Sequence, residues 1–262
     1  MGIYRKKISV LLTIFVFFSG TLTAQTGYGF DAFIEDAGNI IAKPFNWDSQ
    51  DLLTFGGVVA ATTVSIFADR SIKNFANENG QYKDSFPFKL GKFYGEVYPA
   101  AILTGGSYLG GLLFKSNKLK KIGFELFETL FFAGTVTTVL KYSFGRERPT
   151  VANDPYNFAP FSFKGFDFRS FSSGHAAVAF SLSTVLAENV NNNYLKVLIY
   201  IPAILTATSR VYQNYHWTSD VIAGSAIGYF IGKFVTSLHS GGKNRQVSMF
   251  ISPEGIIFSY RF

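Results

Sequence analysis

Ser209-Arg210-Val211-Tyr212-Gln213-Asn214-Tyr215-His216-Trp217-Thr218-Ser219-Asp220 sets arginine, histidine and aspartate in a fixed rhythm at the end of an apolar run. The packing of a helical core asks for none of these groups there. Two earlier stretches have the same character. Lys141-Tyr142-Ser143-Phe144-Gly145-Arg146-Glu147-Arg148-Pro149 closes one apolar segment, and Ser172-Ser173-Gly174-His175 opens another. The 262 residues include three histidines, and two of them lie in these stretches.

Working outward, a helix is expected from Ser173 or Gly174 to about Val190, with Asn191-Asn192-Asn193 as the turn. A second helix returns from about Tyr194 to Arg210, and a third runs from about Asp220 to Leu238. Short turns make such neighbours antiparallel. His175, Arg210 and Asp220 therefore share one end of the bundle, and Lys141 closes the preceding helix at that same end.

The contents of that end define its chemistry. Lys141, Arg148 and Arg210 bring three cations together, which a multiply charged anion would compensate. Arginine matches pairs of phosphate oxygens, and lysine adds a point charge. A helix starting at Ser173-Gly174-His175 offers free backbone N–H groups and a positive dipole end, and Gly174 lets backbone approach a ligand. His216, four residues before Asp220, has the arrangement of a nucleophilic imidazole whose tautomer a carboxylate fixes. His175 is then available to protonate a leaving oxygen. Residue spacing alone leaves open which histidine attacks. Each piece also has an ordinary reading as a basic helix end, a cap or a helical ion pair. All three facing one side outweigh those readings.

The three stretches together resemble the signature motifs of the type 2 phosphatidic acid phosphatase family, whose superfamily includes class A acid phosphatases and vanadium haloperoxidases. The resemblance covers about residues 95–240. One departure is Ser172, where the family usually has proline. The resemblance implies metal-independent phosphate ester hydrolysis without a cofactor: His216 attacks phosphorus, Asp220 orients it, and His175 protonates the leaving alcohol. It also implies that Lys141, Arg148, Ser173, Gly174 and Arg210 hold the phosphoryl oxygens. The substrate class it suggests is a lipid phosphate or diphosphate. A soluble periplasmic acid phosphatase and a vanadate-dependent haloperoxidase are the alternatives.

Composition and patterning supply the frame. Apolar residues make up 48% of the chain and Phe numbers 30, as in a membrane protein or a heavily buried helical one. Setting aside Arg5, Lys6 and Lys7 of the leader leaves 21 basic against 17 acidic residues, too mild an excess to argue for nucleic acid. With no cysteine, a disulfide framework and a thiolate metal site are both excluded. No protein partner can be inferred.

Residues 1–24 read as a signal peptide or anchor, 25–94 as a lead-in with a first apolar helix, 95–240 as the phosphatase core, and 241–262 as a tail forming a β-hairpin. Charge-free runs span Leu52–Ala68 and Val97–Phe114, and a further apolar segment covers Ile122–Leu140. Between them, Asp69–Glu96 reads as a polar connection and Lys115–Lys121 as a basic loop. The expected architecture is all-α, a membrane-embedded six-helix bundle. It would lie in the inner membrane with its active site facing the periplasm, or else in the periplasm itself. The basic loop would then lie inside, which six full spans after a cleaved leader would not allow. Glu125, Glu128 and Glu188 are expected to reach water near helix ends, and His239 to be an exposed residue after the last helix. Asp154 and Asp167 are expected to be solvated.

Overall fold

The computed structural model describes residues 27–161, 165–240, 247–252 and 255–260. The expected leader lies outside them. The chain divides into two compact units, one of residues 46–242 and one of residues up to 45 and from 243 onward. In the smaller unit, helix α1 (Phe30–Ala42) packs on strand β1 (Val247–Ser252). Strand β2 (Gly255–Tyr260) pairs antiparallel with β1, in register from Val247↔Tyr260 to Ser252↔Gly255.

The larger unit opens with α2 (Ser49–Glu78), started by a reciprocal cap. The Asp51 N–H donates to Asp48 Oδ1 at 2.8 Å, and the Asp48 N–H donates to Asp51 Oδ2 at 3.3 Å. Its 30 residues make a rod about 45 Å long. The expected polar connection from Asp69 is corrected here, because α2 continues through Glu78. No Gly or Pro interrupts residues 69–78, and Asp69 is buried rather than solvated. A further part of that stretch forms α3 (Phe86–Tyr94), which tolerates Pro87 in its first turn.

Helices α4 (Val97–Leu113) and α5 (Asn117–Phe144) pack against each other. Ser116 caps α5 by accepting the Leu119 N–H at 3.3 Å, so Lys118, Lys120 and Lys121 sit in its first turns rather than in a loop. Gly145 ends α5 in the left-handed region (φ +55°), where glycine is favoured. That stop leaves Lys141 in the last turn. Helix α6 (Gly174–Glu188) follows the irregular loop. The next expected helix is broken at Tyr200 into α7 (Asn193–Ile199) and α8 (Ile201–Tyr212). Pro202 explains the break, since its ring clashes with the carbonyl four residues earlier. Helix α9 (Thr218–Leu238) completes the unit.

Helix α9 lies very close to α6. A Cβ at Gly224 would sit 2.2 Å from the Ser173 carbonyl oxygen, and one at Gly228 would sit 2.3 Å from that of Ala177. Small residues of this kind let helix backbones meet in lipid. Four helical segments are long and apolar enough to cross a membrane: Ser49–Glu78, Asn117–Phe144, Asn193–Tyr212 and Thr218–Leu238. Helices α4 and α6, with 17 and 15 residues, fall short of the roughly 20 a bilayer needs. By this measure the described residues contain four candidate spans, which leaves the expected count of six unconfirmed. Leu53, Phe67, Ile102, Val139, Val197 and Ile204 are all exposed, an apolar exterior suited to lipid.

Candidate active site

His216 lies in the turn between α8 and α9 and is buried. Its Nδ1 is 2.8 Å from the Ser170 carbonyl oxygen. A carbonyl only accepts, so Nδ1 holds the proton and Nε2 presents a lone pair. That Nε2 lies 3.5 Å from Arg148 Nη1. Burial pushes the imidazole's pKa well below its ordinary value. Arg148 and Lys141 push the same way, while the Asp220 contact opposes them.

Asp220 was expected to hold His216 directly, and the geometry amends that expectation. Asp220 Oδ2 is 3.8 Å from His216 Nδ1, a charge contact beyond hydrogen-bond length. The same oxygen accepts the Trp217 N–H at 2.9 Å and the Ser170 hydroxyl at 2.5 Å. Those two donors occupy it, which leaves the ring to the Ser170 carbonyl. The other oxygen, Oδ1, accepts from Arg146 Nη1 at 2.7 Å.

Arg146 was quoted in the sequence but given no role. Its guanidinium is fully buried and bridges Asp220 to Asp69 of α2, at 2.8 Å from Asp69 Oδ2. It also donates to Ser219 Oγ at 2.6 Å and to the Pro155 carbonyl at 2.8 and 2.9 Å. Asp69 in turn accepts the Ser219 N–H at 2.9 Å and the Ser219 hydroxyl at 2.5 Å. This network ties α2, the irregular loop and the start of α9 together beneath His216.

The other expected residues gather around it. Lys141 Nζ donates to the carbonyls of Arg169, at 3.3 Å, and Ser172. Arg148 donates to the carbonyls of Tyr215 at 2.7 Å, Arg169 at 3.1 Å and Phe166 at 3.1 Å. Ser173 caps α6, accepting the Ala176 N–H at 3.4 Å, and its own N–H donates to the Asp220 carbonyl at 2.9 Å. A Cβ on Gly174 would lie 3.9 Å from Lys141 Cε, so the start of α6 faces that lysine. Arg210 is buried, and its Nε and Nη2 make no hydrogen bond among the described residues. His175 lies within electrostatic reach of Arg210 and Lys141.

An acid that no motif named reaches His175: Glu96 Oε1 lies 3.5 Å from its Nε2. The acid comes from another helix, so spacing along the chain could not reveal it. A signal was available for Asp69, an acid directly after an apolar run of membrane length.

Three expectations away from the site are overturned. Glu125 and Glu128 do not reach water, since both are fully buried. His239 is buried with them, its Nδ1 3.6 Å from Glu125 and its Nε2 3.9 Å from Glu128. Asn189 donates to Glu125 at 2.6 Å, so this cluster lies at the far end of α6 from His175. A buried carboxylate needs such partners. Glu188 stays half-buried against Lys233 at 3.1 Å, and Asp154 and Asp167 are exposed.

Fold and site together define a helical membrane protein with buried cations and two histidines at one end of its bundle. Residues 123–242 match the family model described as the PAP2 superfamily. A lipid A 1-phosphatase of Porphyromonas gingivalis is 36% identical over 104 residues, covering 38% of this chain and 20% of that relative. An undecaprenyl-diphosphatase of Sulfolobus acidocaldarius is 31% identical over 141 residues, covering 53% of this chain and 65% of the relative. The chain thus spans less than two thirds of either relative's length. Among solved structures, a transmembrane PAP2 type phosphatidylglycerolphosphate phosphatase from Bacillus subtilis has the same fold. It aligns with a TM-score of 0.50 and 18% identity over 71% of this chain and 96% of that one.

Proposed function

We propose that this protein is a metal-independent phosphatase that hydrolyses a lipid phosphate or lipid diphosphate through a phosphohistidine. The observation that carries the reading is the state of His216: Nδ1 bound to the Ser170 carbonyl, and Nε2 bearing its lone pair beside Arg148. That nitrogen attacks phosphorus, and the P–O bond to the lipid breaks. His175 gives its proton to the departing oxygen. Water then attacks phosphorus, breaking the P–N bond and giving a proton back to His175, which releases inorganic phosphate and neutral His216. Lys141, Arg148, Arg210 and the α6 N-terminus at Ser173 and Gly174 hold the phosphoryl oxygens, supplying the positive charge that a metal ion supplies in other phosphatases.

The lipid part of the reading is supported by the apolar exterior, which gives a tail a lateral approach. The names of the relatives agree with it. An inner-membrane position with the site facing the periplasm accords with a basic segment at Lys118–Lys121 on the cytoplasmic side. The decisive assay is phosphate release from lipid and soluble esters with EDTA present, with an acid-labile phosphoenzyme sought after quenching. Hydrolysis should persist in EDTA, and its loss would count against the metal-free mechanism. Release of the protein by carbonate extraction would instead favour the soluble periplasmic alternative.

A further inference from the structure

Glu96 belongs to none of the three motifs, yet its carboxylate meets the imidazole of His175, with Oε1 3.5 Å from Nε2. The contact is built in by the backbone. Glu96 precedes α4 in extended conformation (φ −78°, ψ 150°), and its side chain makes no cap to that helix. The segment leading to Glu96 is pressed against α6 and α8. A Cβ on Gly95 would lie 2.4 Å from Thr206 Cγ2 and 3.1 Å from the His175 carbonyl oxygen. One turn earlier, Thr206 Oγ1 donates to the Gly91 carbonyl at 2.6 Å. Such close packing fixes where the Glu96 side chain starts relative to His175.

Charge explains why a carboxylate is needed. The charged groups acting on His175 are Glu96 before α4, Lys141 from α5 and Arg210 from α8. Two of the three are cations, and each opposes an imidazolium. The remaining acid of the site, Asp220 of α9, is committed to Arg146 and to the Ser170 hydroxyl. A general acid must nevertheless carry a proton when the leaving oxygen departs.

We propose that Glu96 is the positioning residue of the general acid, pairing with the imidazolium of His175 and holding its ring toward the leaving group. This rests on the phosphatase reading above. The pair is only partly enclosed, with both side chains about one third exposed (His175 34%, Glu96 36%). That exposure admits the water from which His175 regains its proton.

The test compares wild type, Glu96→Gln and Glu96→Asp in detergent, on an alkyl phosphate and on p-nitrophenyl phosphate across pH. Glu96→Gln should lose about tenfold in kcat on the alkyl ester and change little on the activated one, which needs no general acid. The basic limb of its kcat/KM profile should move to lower pH, and Glu96→Asp should recover part of the loss. Equal loss on both esters with an unmoved profile would mean a purely structural role and overturn the proposal. Unchanged kinetics would overturn it as well. A second measurement does not depend on activity. With three histidines in the chain, ring NMR signals can be assigned by single substitutions and titrated. The His175 midpoint should fall in Glu96→Gln, and an unchanged midpoint would refute the pairing. A wild type inert on both esters would instead sink the phosphatase reading, leaving the titration to judge the pair.

Discussion

Arg146 Nη1 lies 2.7 Å from Asp220 Oδ1, and both side chains are fully buried. The same guanidinium reaches Asp69 at 2.8 Å, so one cation pairs with two carboxylates from helices far apart in the chain. Asp220 is thereby fixed from below and touches His216 only at 3.8 Å. Buried ion networks add little net stability when complete, but they are costly to break because the remaining charge has no water. Replacing Arg146 with Ala should destabilise the protein by about 3–5 kcal/mol. Denaturant unfolding in detergent measures this. A loss under 1 kcal/mol, with activity intact, would show that the two carboxylates find other partners.

The histidines should separate by leaving group. His216→Ala removes the nucleophile and should fail on alkyl and p-nitrophenyl phosphates alike. His175→Ala should lose most activity on the alkyl ester while keeping much more on p-nitrophenyl phosphate, whose leaving group departs unaided. Equal rescue of both variants by the activated ester would refute this division. Rescue of His216→Ala alone would reverse it.

The acid side of the pH profile reports His216. Its pKa is depressed by burial, with Arg148 and Lys141 adding to the effect. The neutral ring is the attacking form, so kcat/KM should hold until the pH falls below about 6.5, the ordinary imidazole value. Removing one cation with Arg148→Gln should move that limb to higher pH, whatever happens to the rate. The sign for stability is the same: the unfolded chain binds this proton more readily, so acidification below about 6.5 favours unfolding. An acid limb above 6.5 in wild type would contradict the environment described for His216.

Arg210 tests the pocket charge. Its Nε and Nη2 make no hydrogen bond among the described residues, although the side chain is buried. Arg210→Ala should lower kcat by about 10²-fold or more through lost transition-state contacts. Turnover near that of wild type would reduce Arg210 to a basic residue at a helix end.

The sequence by itself determined the apolar helices from Val97 onward and the end at which chemistry gathers, though not the helical extension past Asp69 or the break at Tyr200. Apolar run length fixed α4 almost to the residue, as Val97–Leu113 against an expected Val97–Phe114. Helix starts and stops placed Lys141, His175, Arg210 and Asp220 on one side, because short connections between antiparallel helices leave little choice. These are local facts, written in propensity, capping and spacing. What only the tertiary structure decided is which groups meet across helices. Glu96 reaches His175 from α4, Asp69 reaches Arg146 from α2, and the Ser170 carbonyl takes the His216 proton that spacing had assigned to Asp220. The buried cluster of Glu125, Glu128 and His239 was hidden for the same reason. Each of these pairings joins residues from 46 to 114 positions apart in chain order, a separation at which side-chain pattern carries no information about contact. The physical cause is burial: a charged or polar group removed from water must find a partner, and folding alone decides which partner is near.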